Sequence, residues 1–264
     1  VAVVRRDLEG GVMALWCRDL PVRDIAIGTV PKPVTLVVPY YMNPDFFAQQ
    51  VAGWRAWPCA LSPYVEVIVV DDGSPRPAVA PIQPLPVAFR LFRIAVDRRW
   101  NWLAARNIGA HHARAGWLLL TDMDHVVTLP TLMAAVYGQH DPATIYAFTR
   151  REHTGEPIAP HSASFLLSRD LFWTIGGYDE TLAGYYGTDG DFRRRALSYA
   201  PIVVQANATL VRHEFVADAS TTRYLRKQPE DATVHTLIAA RSSAWRPKTL
   251  SFPYAEVTAE GGCA

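Results

Sequence analysis

Residues 65–75 read Val65-Glu66-Val67-Ile68-Val69-Val70-Asp71-Asp72-Gly73-Ser74-Pro75, a β-branched run interrupted only by Glu66 and stopped by two carboxylates, a glycine and a proline. Such a run reads as a strand buried on both faces, and the residues that end it supply turn chemistry. Residues 34–38 form a second run of the same kind, bounded by prolines, and residues 43–57 between the two read as a helix. Strand, helix, strand is the opening unit of a parallel sheet. Beyond it the sequence predicts a Pro-rich loop over 75–86, a strand over 87–94, a helix over 101–115 stopped by Gly116, and a fourth buried strand over 117–121. The second half predicts strands at 145–149 and 164–167, helices at 169–175 and 189–199, and two closing strands at 202–204 and 209–212. This alternation predicts an α/β protein with a mostly parallel, mixed central sheet, whose ligands sit beyond the carboxyl ends of the strands.

Composition bounds the function. The chain has 264 residues, 50% hydrophobic and 19% charged, with 26 Lys and Arg against 25 Asp and Glu, a net charge of +1. No global field points to nucleic acid or an anionic membrane, so bulk polyanion binding is disfavoured. The charge-free stretches 126–140 and 196–211 contain Pro, Gln, Asn or His. They fall short of the roughly 20 apolar residues that a spanning helix needs, so no integral membrane segment is expected. Three cysteines, Cys17, Cys59 and Cys263, form an odd set without C-x-x-C spacing, which suits a reducing compartment. No basic segment leads into an apolar run near Val1, and the expectation is a cytoplasmic protein, with peripheral membrane association left open.

The chemistry concentrates at Asp122-Met123-Asp124, which follows the strand at 117–121. Alternation places the two carboxylates on one side, where they repel unless a cation lies between them; oxygen ligands of this kind suit Mg2+ or Mn2+. An isolated D-x-D is also compatible with a solvated turn. The wider pattern resembles a family. Val34-Thr35-Leu36-Val37-Val38-Pro39-Tyr40-Tyr41 looks like the first strand of the family 2 glycosyltransferases, and Val67-Ile68-Val69-Val70-Asp71-Asp72-Gly73-Ser74 like their second strand and its acidic end. Ala105-Arg106-Asn107-Ile108-Gly109-Ala110 resembles their A-R-N-x-G helix, and Asp122-Met123-Asp124 stands where their D-x-D belongs. Gly176-Gly177-Tyr178-Asp179-Glu180, followed by Gly187-Thr188-Asp189-Gly190-Asp191-Phe192, is similar to their late acidic segment. The five matches stand in order, and the resemblance extends from Val34 to about His213.

The resemblance implies a GT-A fold, a Rossmann-like α/β/α sandwich, and transfer of a sugar with inversion from a nucleoside-diphosphate donor, UDP by family habit, to an acceptor hydroxyl. It implies donor contacts from Pro39, Tyr40, Asp71, Arg106 and Asp122, and a Mn2+ or Mg2+ ion held by Asp122, Asp124 and His213. A partly buried histidine satisfied by backbone is the alternative reading of His213. The resemblance also makes Asp189 the catalytic base, a role the chemistry requires because the acceptor must lose a proton as it attacks. Asp191 is the second candidate base, although pairing with Arg195 at i+4 is its simpler role. Thr188 replaces a Glu of the family pattern, leaving the acceptor open; Thr188, Tyr185, Tyr186 and His161 are the candidate acceptor contacts, and a saccharide the expected acceptor.

The expected organisation is a strap or strand pair over 1–32, a catalytic domain over 33–217 with its nucleotide half at 33–125 and acceptor half at 126–217, and an extension over 218–264. Two other functions fit the pattern less well. A nucleotidyltransferase or sugar pyrophosphorylase predicts a Gly-rich loop after the first strand, and Pro39-Tyr40-Tyr41-Met42-Asn43 has none. A non-catalytic nucleotide-sugar-binding module would not need the full set of Asp122, Asp124, Asp189 and His213.

Overall fold

A computed structural model describes residues 20–185, 187–214 and 231–257. In chain order these form β1 (Val22–Arg23), β2 (Val34–Tyr40), α1 (Pro44–Arg55), β3 (Val65–Asp71), β4 (Ala88–Ile94), α2 (Trp102–His112), β5 (Trp117–Leu120) and β6 (His125–Val127). There follow α3 (Leu129–Tyr137), β7 (Ile145–Arg151), β8 (Pro157–Ile158), β9 (Phe165–Ser168), α4 (Arg169–Ile175), α5 (Asp189–Ala196), β10 (Ile202–Arg212), α6 (Asp231–Ala239) and β11 (Tyr254–Glu256). One mixed sheet runs β1-β10-β7-β9-β5-β2-β3-β4-β11, with β6 paired to β10 and β8 to β7. Its β5-β2-β3-β4 block is parallel throughout, and the register that pairs Val34 with Val65 brings Tyr40 and Asp71 to the same carboxyl edge.

The continuous apolar runs follow from burial on both faces. Leu36 and Val38 of β2 pack into one hydrophobic cluster and Val37 into another; Val67 and Val69 of β3 likewise face away from Ile68 and Val70. Successive side chains of a strand point to opposite faces, so a sheet covered on both sides demands apolar residues at every position. Helix α1 starts where Asn43 Oδ1 accepts from Phe46 N at 3.2 Å and Pro44 occupies the first turn. Helix α2 lies so close to β2 that a Cβ on Gly109 would stand 2.2 Å from Val37 Cγ1.

Several expectations need correction. Helix α2 stops at His112, short of the predicted Ala115, because the chain turns extended at Ala113 and the next amides find tertiary acceptors: Arg114 N donates to Glu66 Oε2 and Ala115 N to Thr35 Oγ1. Gly116 therefore caps nothing. The two predicted closing strands are one, β10, whose register shifts between Gln205 and Thr209; a bulge hides continuity from a pattern of period two. The charge-free stretch at 126–140 is a strand end and helix α3. The described part of the tail joins the same sheet, since β11 pairs antiparallel with β4 and Glu256 takes Arg90 through two hydrogen bonds of 2.7 and 2.9 Å. The described part of the N-terminal strap runs along β10, where Val22 pairs with Val204. No helix among the described residues is long and apolar enough to cross a membrane.

Candidate functional site

At the end of β3 the two aspartates differ. Both oxygens of Asp71 are taken by its own loop, Oδ1 by Ser74 N and Oδ2 by Ala78 N, each at 2.8 Å. Asp71, 1% exposed, thus organises residues 72–78 at the end of β3. Asp72, not among the expected site residues, is only 5% exposed, and its Oδ1 has no hydrogen-bond partner. Burial, together with the neighbouring Asp71 charge, pushes its carboxyl well above the usual range. Tyr40 turns into the core, edge-on to Phe47 with centroids 5.6 Å apart, rather than into a nucleotide pocket. Tyr41 is the tyrosine at the rim, its hydroxyl 3.1 Å from Asp97 Oδ1. Pro39, which precedes them in β2, is half-buried.

Arg106 is the hub of the neighbouring group. It is 0% exposed on α2, and its guanidinium donates to Asp122 Oδ1, to the Ala163 carbonyl and, at 2.9 Å, to Tyr178 Oη. Burial opposes its charge, but Tyr178, Asp122 and Asp189 hold its pKa above the ordinary value. Strand β5 ends at Leu120, so Asp122-Met123-Asp124 forms a turn with Met123 in the core. Asp122 faces Arg106 and, through Oδ2, His161 Nε2 at 3.4 Å. His161, expected beside the acceptor, instead packs on the ring of His125 at 4.6 Å and contacts Ser164 Oγ at 2.8 Å. Burial and the proximity of His125 depress its pKa to about 3, so its ring is neutral near pH 7.

Asp124 points elsewhere. Its side chain is 41% exposed and its Oδ1 lies 2.6 Å from His125 Nδ1. Burial works against its ionisation, but His125 outweighs that and holds the carboxyl below the usual carboxylate range. Residue His213, just past β10, donates its backbone N–H to the Asp124 carbonyl at 2.8 Å. Its ring stacks on Phe46 at 5.3 Å, and its Nε2 is buried without a partner. Burial lowers its pKa, so the imidazole is neutral near pH 7. One turn along α1 from Phe46, the buried Gln50 donates through Nε2 to the carbonyls of Met123 and His125, at 2.9 and 2.7 Å, on either side of Asp124. Gln50 was legible as the one polar residue on a helix face otherwise made of Phe46, Phe47, Val51 and Trp54.

The late acidic segment is partly scaffold. Asn107 joins α2 to it, giving Nδ2 to Tyr178 O and Glu180 Oε1 and taking Tyr178 N on Oδ1, all at 2.8 Å. Glu180 receives Leu250 N and Ser251 N, each at 2.7 Å. Gly177 has φ +63°, and a Cβ there would meet Asn107 Oδ1 at 2.8 Å, so this position requires glycine. Asp189 opens α5, and its charge acts on both Arg106 and Tyr178. Asp191 is buried, and its oxygens take Arg195 Nε at 3.1 Å and Arg241 Nη1. Thr188 is 1% exposed, and its Oγ1 is buried without a hydrogen-bond partner. Tyr185 is half-buried in the preceding loop, and Tyr186 lies outside the described residues.

A divalent ion fits this donor set in part. A neutral His213 with an unpartnered, buried Nε2 near the partly open Asp124 carboxylate makes a suitable pair of ligands. Asp122, the third expected ligand, gives Oδ1 to Arg106 and has Oδ2 3.4 Å from His161 Nε2, with its side chain 36% exposed. Among the described residues no three His, Cys, Asp or Glu side chains form a group that could hold a metal.

The profile of "Glycosyl transferase family 2" matches residues 35–196, more than half of the chain. A search of the curated proteins found no match. Several solved structures share the fold. The Staphylococcus aureus (S. aureus) TarS fragment 1–349 in complex with UDP-GlcNAc is 16% identical over 78% of this chain and 65% of its own, with a TM-score of 0.60. GalNAc-T7 with UDP, GalNAc and Mn2+ is 13% identical over 79% of this chain and 48% of its own, with a TM-score of 0.57. The mannosyltransferase PcManGT from Pyrobaculum calidifontis, in complex with GDP-Man and Mn2+, is 20% identical over 79% and 64%, with a TM-score of 0.54. The chain spans less than two thirds of the length of each. A sheet whose parallel half ends in paired carboxylates, an Arg106 hub between that edge and the late acidic loop, and a family profile lying across all of them agree: this chain belongs to glycosyl transferase family 2 and has the GT-A fold.

Proposed function

We propose that the protein is an inverting glycosyltransferase that moves a sugar from a nucleoside-diphosphate donor to an acceptor hydroxyl, with Asp189 as the base. The observation that most directly supports this reading is Asp122 held by the buried Arg106, on which the charge of Asp189 also acts, beside the Asp124 and His213 pair. Two of the three neighbours named above were solved with uridine nucleotides, which favours UDP. Asp71 is the proposed base contact, and the neighbouring Asp72, whose buried Oδ1 has no partner, is a further candidate for it. Asp189 is preferred to Asp191 because two arginines already hold Asp191.

Asp124 and His213 would hold a divalent cation. When bound, it would supply Lewis-acid neutralisation of the departing diphosphate. Arg106 fixes Asp122 at the donor side, and its charge, buried at the same edge, favours an anionic ligand. Asp189, open enough to meet an acceptor, takes the hydroxyl proton as the oxygen attacks the anomeric carbon. The acceptor is proposed to be a saccharide.

A thermal-shift screen of nucleoside diphosphates and nucleotide sugars, with and without Mn2+ or Mg2+, tests the donor site. A ligand at 100 times its dissociation constant adds about 2.7 kcal/mol to the native state. Stabilisation by one nucleotide, dependent on metal and lost in Asp124→Ala, is the expected result. Asp189→Asn should then abolish transfer and leave donor affinity within a few-fold. Stabilisation without any turnover of a nucleotide sugar would favour a binding module instead.

A further inference from the structure

Arg241 lies beyond the family-matched segment, yet it reaches into the late acidic loop. Its guanidinium is a fork: Nη1 donates to Asp191 Oδ1 and Nη2 to Asp179 Oδ2 at 2.6 Å. Its face stacks on Trp245, 3.7 Å from the ring centroid. Both carboxylates are buried, Asp179 fully so. Arg195 completes the set, taking Asp191 by Nε and capping the carbonyls of Ile175 and Gly177 at 2.8 and 2.7 Å. Two cations therefore alternate with two anions: Arg195 ties α5 to the 175–177 carbonyls from within the helix, and Arg241 joins Asp179 to the first turn of α5 from outside it.

That junction spans the working parts of the site. Tyr178, which holds Arg106, is the residue before Asp179; Asp189 stands two residues before Asp191 in the same helical turn. Thr188, at the N-cap of α5, makes no side-chain capping bond, so the helix start is not fixed by its own cap. We infer that Arg241 is a positioning residue of the transfer site, whose fork between Asp179 and Asp191 sets Asp189 against the Arg106–Tyr178 pair. The inference rests on the reading of Asp189 as the base. It makes a part of the chain outside the family segment necessary for the chemistry without touching substrate.

The variant to make is Arg241→Lys, which keeps a cation between the two carboxylates but replaces the planar fork with a point charge. The assay is release of nucleoside diphosphate from a panel of UDP-sugars and GDP-mannose with water as acceptor. A misplacement of about 1 Å at a reacting group costs up to about 100-fold in rate. The expected result is a fall in kcat of that order with KM for the donor within about twofold. Hydrogen exchange followed by mass spectrometry should show faster exchange over residues 187–197 and unchanged protection in β2 and β3. A wild-type kcat in Arg241→Lys would overturn the inference, as would equal losses in kcat and donor affinity with protection lost across the whole sheet. A wild-type chain that turns over no sugar nucleotide would overturn the transfer reading, and this inference with it.

Discussion

Gln50→Leu removes the clamp on the Asp122-Met123-Asp124 turn while keeping the volume of the side chain. The amide gives two hydrogen bonds, to Met123 O and His125 O, in a buried position. At about 0.5–1.5 kcal/mol each, their loss should destabilise the protein by about 1–3 kcal/mol. For a chain of this size that lowers Tm by about 2–12 °C. The second effect is local. Asp124 sits between the two clamped carbonyls, and its own carbonyl receives the His213 amide, so loosening the turn separates the proposed metal ligands. Removing such a support costs about 10- to 100-fold in metal affinity. Calorimetric titration of the selected nucleoside diphosphate, with and without Mn2+, should show the metal-dependent part of the affinity falling by at least about tenfold, with the metal-free part unchanged. Gln50→Glu should do worse, since a carboxylate offers no donor to two carbonyls and adds charge beside Asp124. A Gln50→Leu protein with lowered Tm but full metal-dependent affinity would refute the reasoning and leave Gln50 a packing residue.

Two glycines should respond with opposite signs. Gly109→Ala drives a Cβ into the buried Val37 and should cost about 1–3 kcal/mol, more than the helix propensity gained, whereas Gly53→Ala on α1 meets nothing within 4 Å and should stabilise by up to about 1 kcal/mol. Chemical denaturation of both variants checks the pair, and a stabilised Gly109→Ala would show that α2 can shift off β2. A pH effect follows from His140, buried against Trp117 and Tyr146, whose pKa burial lowers to about 4 with a further push from Lys32. The unfolded chain takes up this proton near pH 6.5 and the folded one only near 4, so stability is lost as pH falls through that window. The loss reaches about 3 kcal/mol. His140→Gln should flatten the dependence of Tm on pH between 6.5 and 4, and an unchanged slope would sink the assignment.

Parts of this architecture are legible in the residues alone. Strands β2, β3 and β5 show as largely apolar runs, broken only by Thr35 and Glu66 ahead of their ends, because both of their faces are covered. Helix α4 and the N-cap of α1 at Asn43 likewise follow from local chemistry. Short or bulged elements are not legible in this way. Strand β11 has three residues and owes its place to Arg90 and Glu256, while β10 reads as two pieces across its bulge.

The site divides along the same line. Sequence by itself determined which carboxylates stand at strand ends, because turn chemistry and the end of a hydrophobic run are local properties. It also determined the family, because five short motifs keep their order along the chain. Tertiary structure alone decided how those carboxylates are used. Asp71 anchors its own loop, whereas Asp72 Oδ1 is buried without a partner; Asp191 is held by Arg195 and Arg241, while the charge of Asp189 acts on Arg106; His161 lies beside Asp122. The physical reason is that a carboxylate's role depends on the donors within about 3 Å of its oxygens. Those donors come from segments far apart in sequence, whose meeting is set by packing.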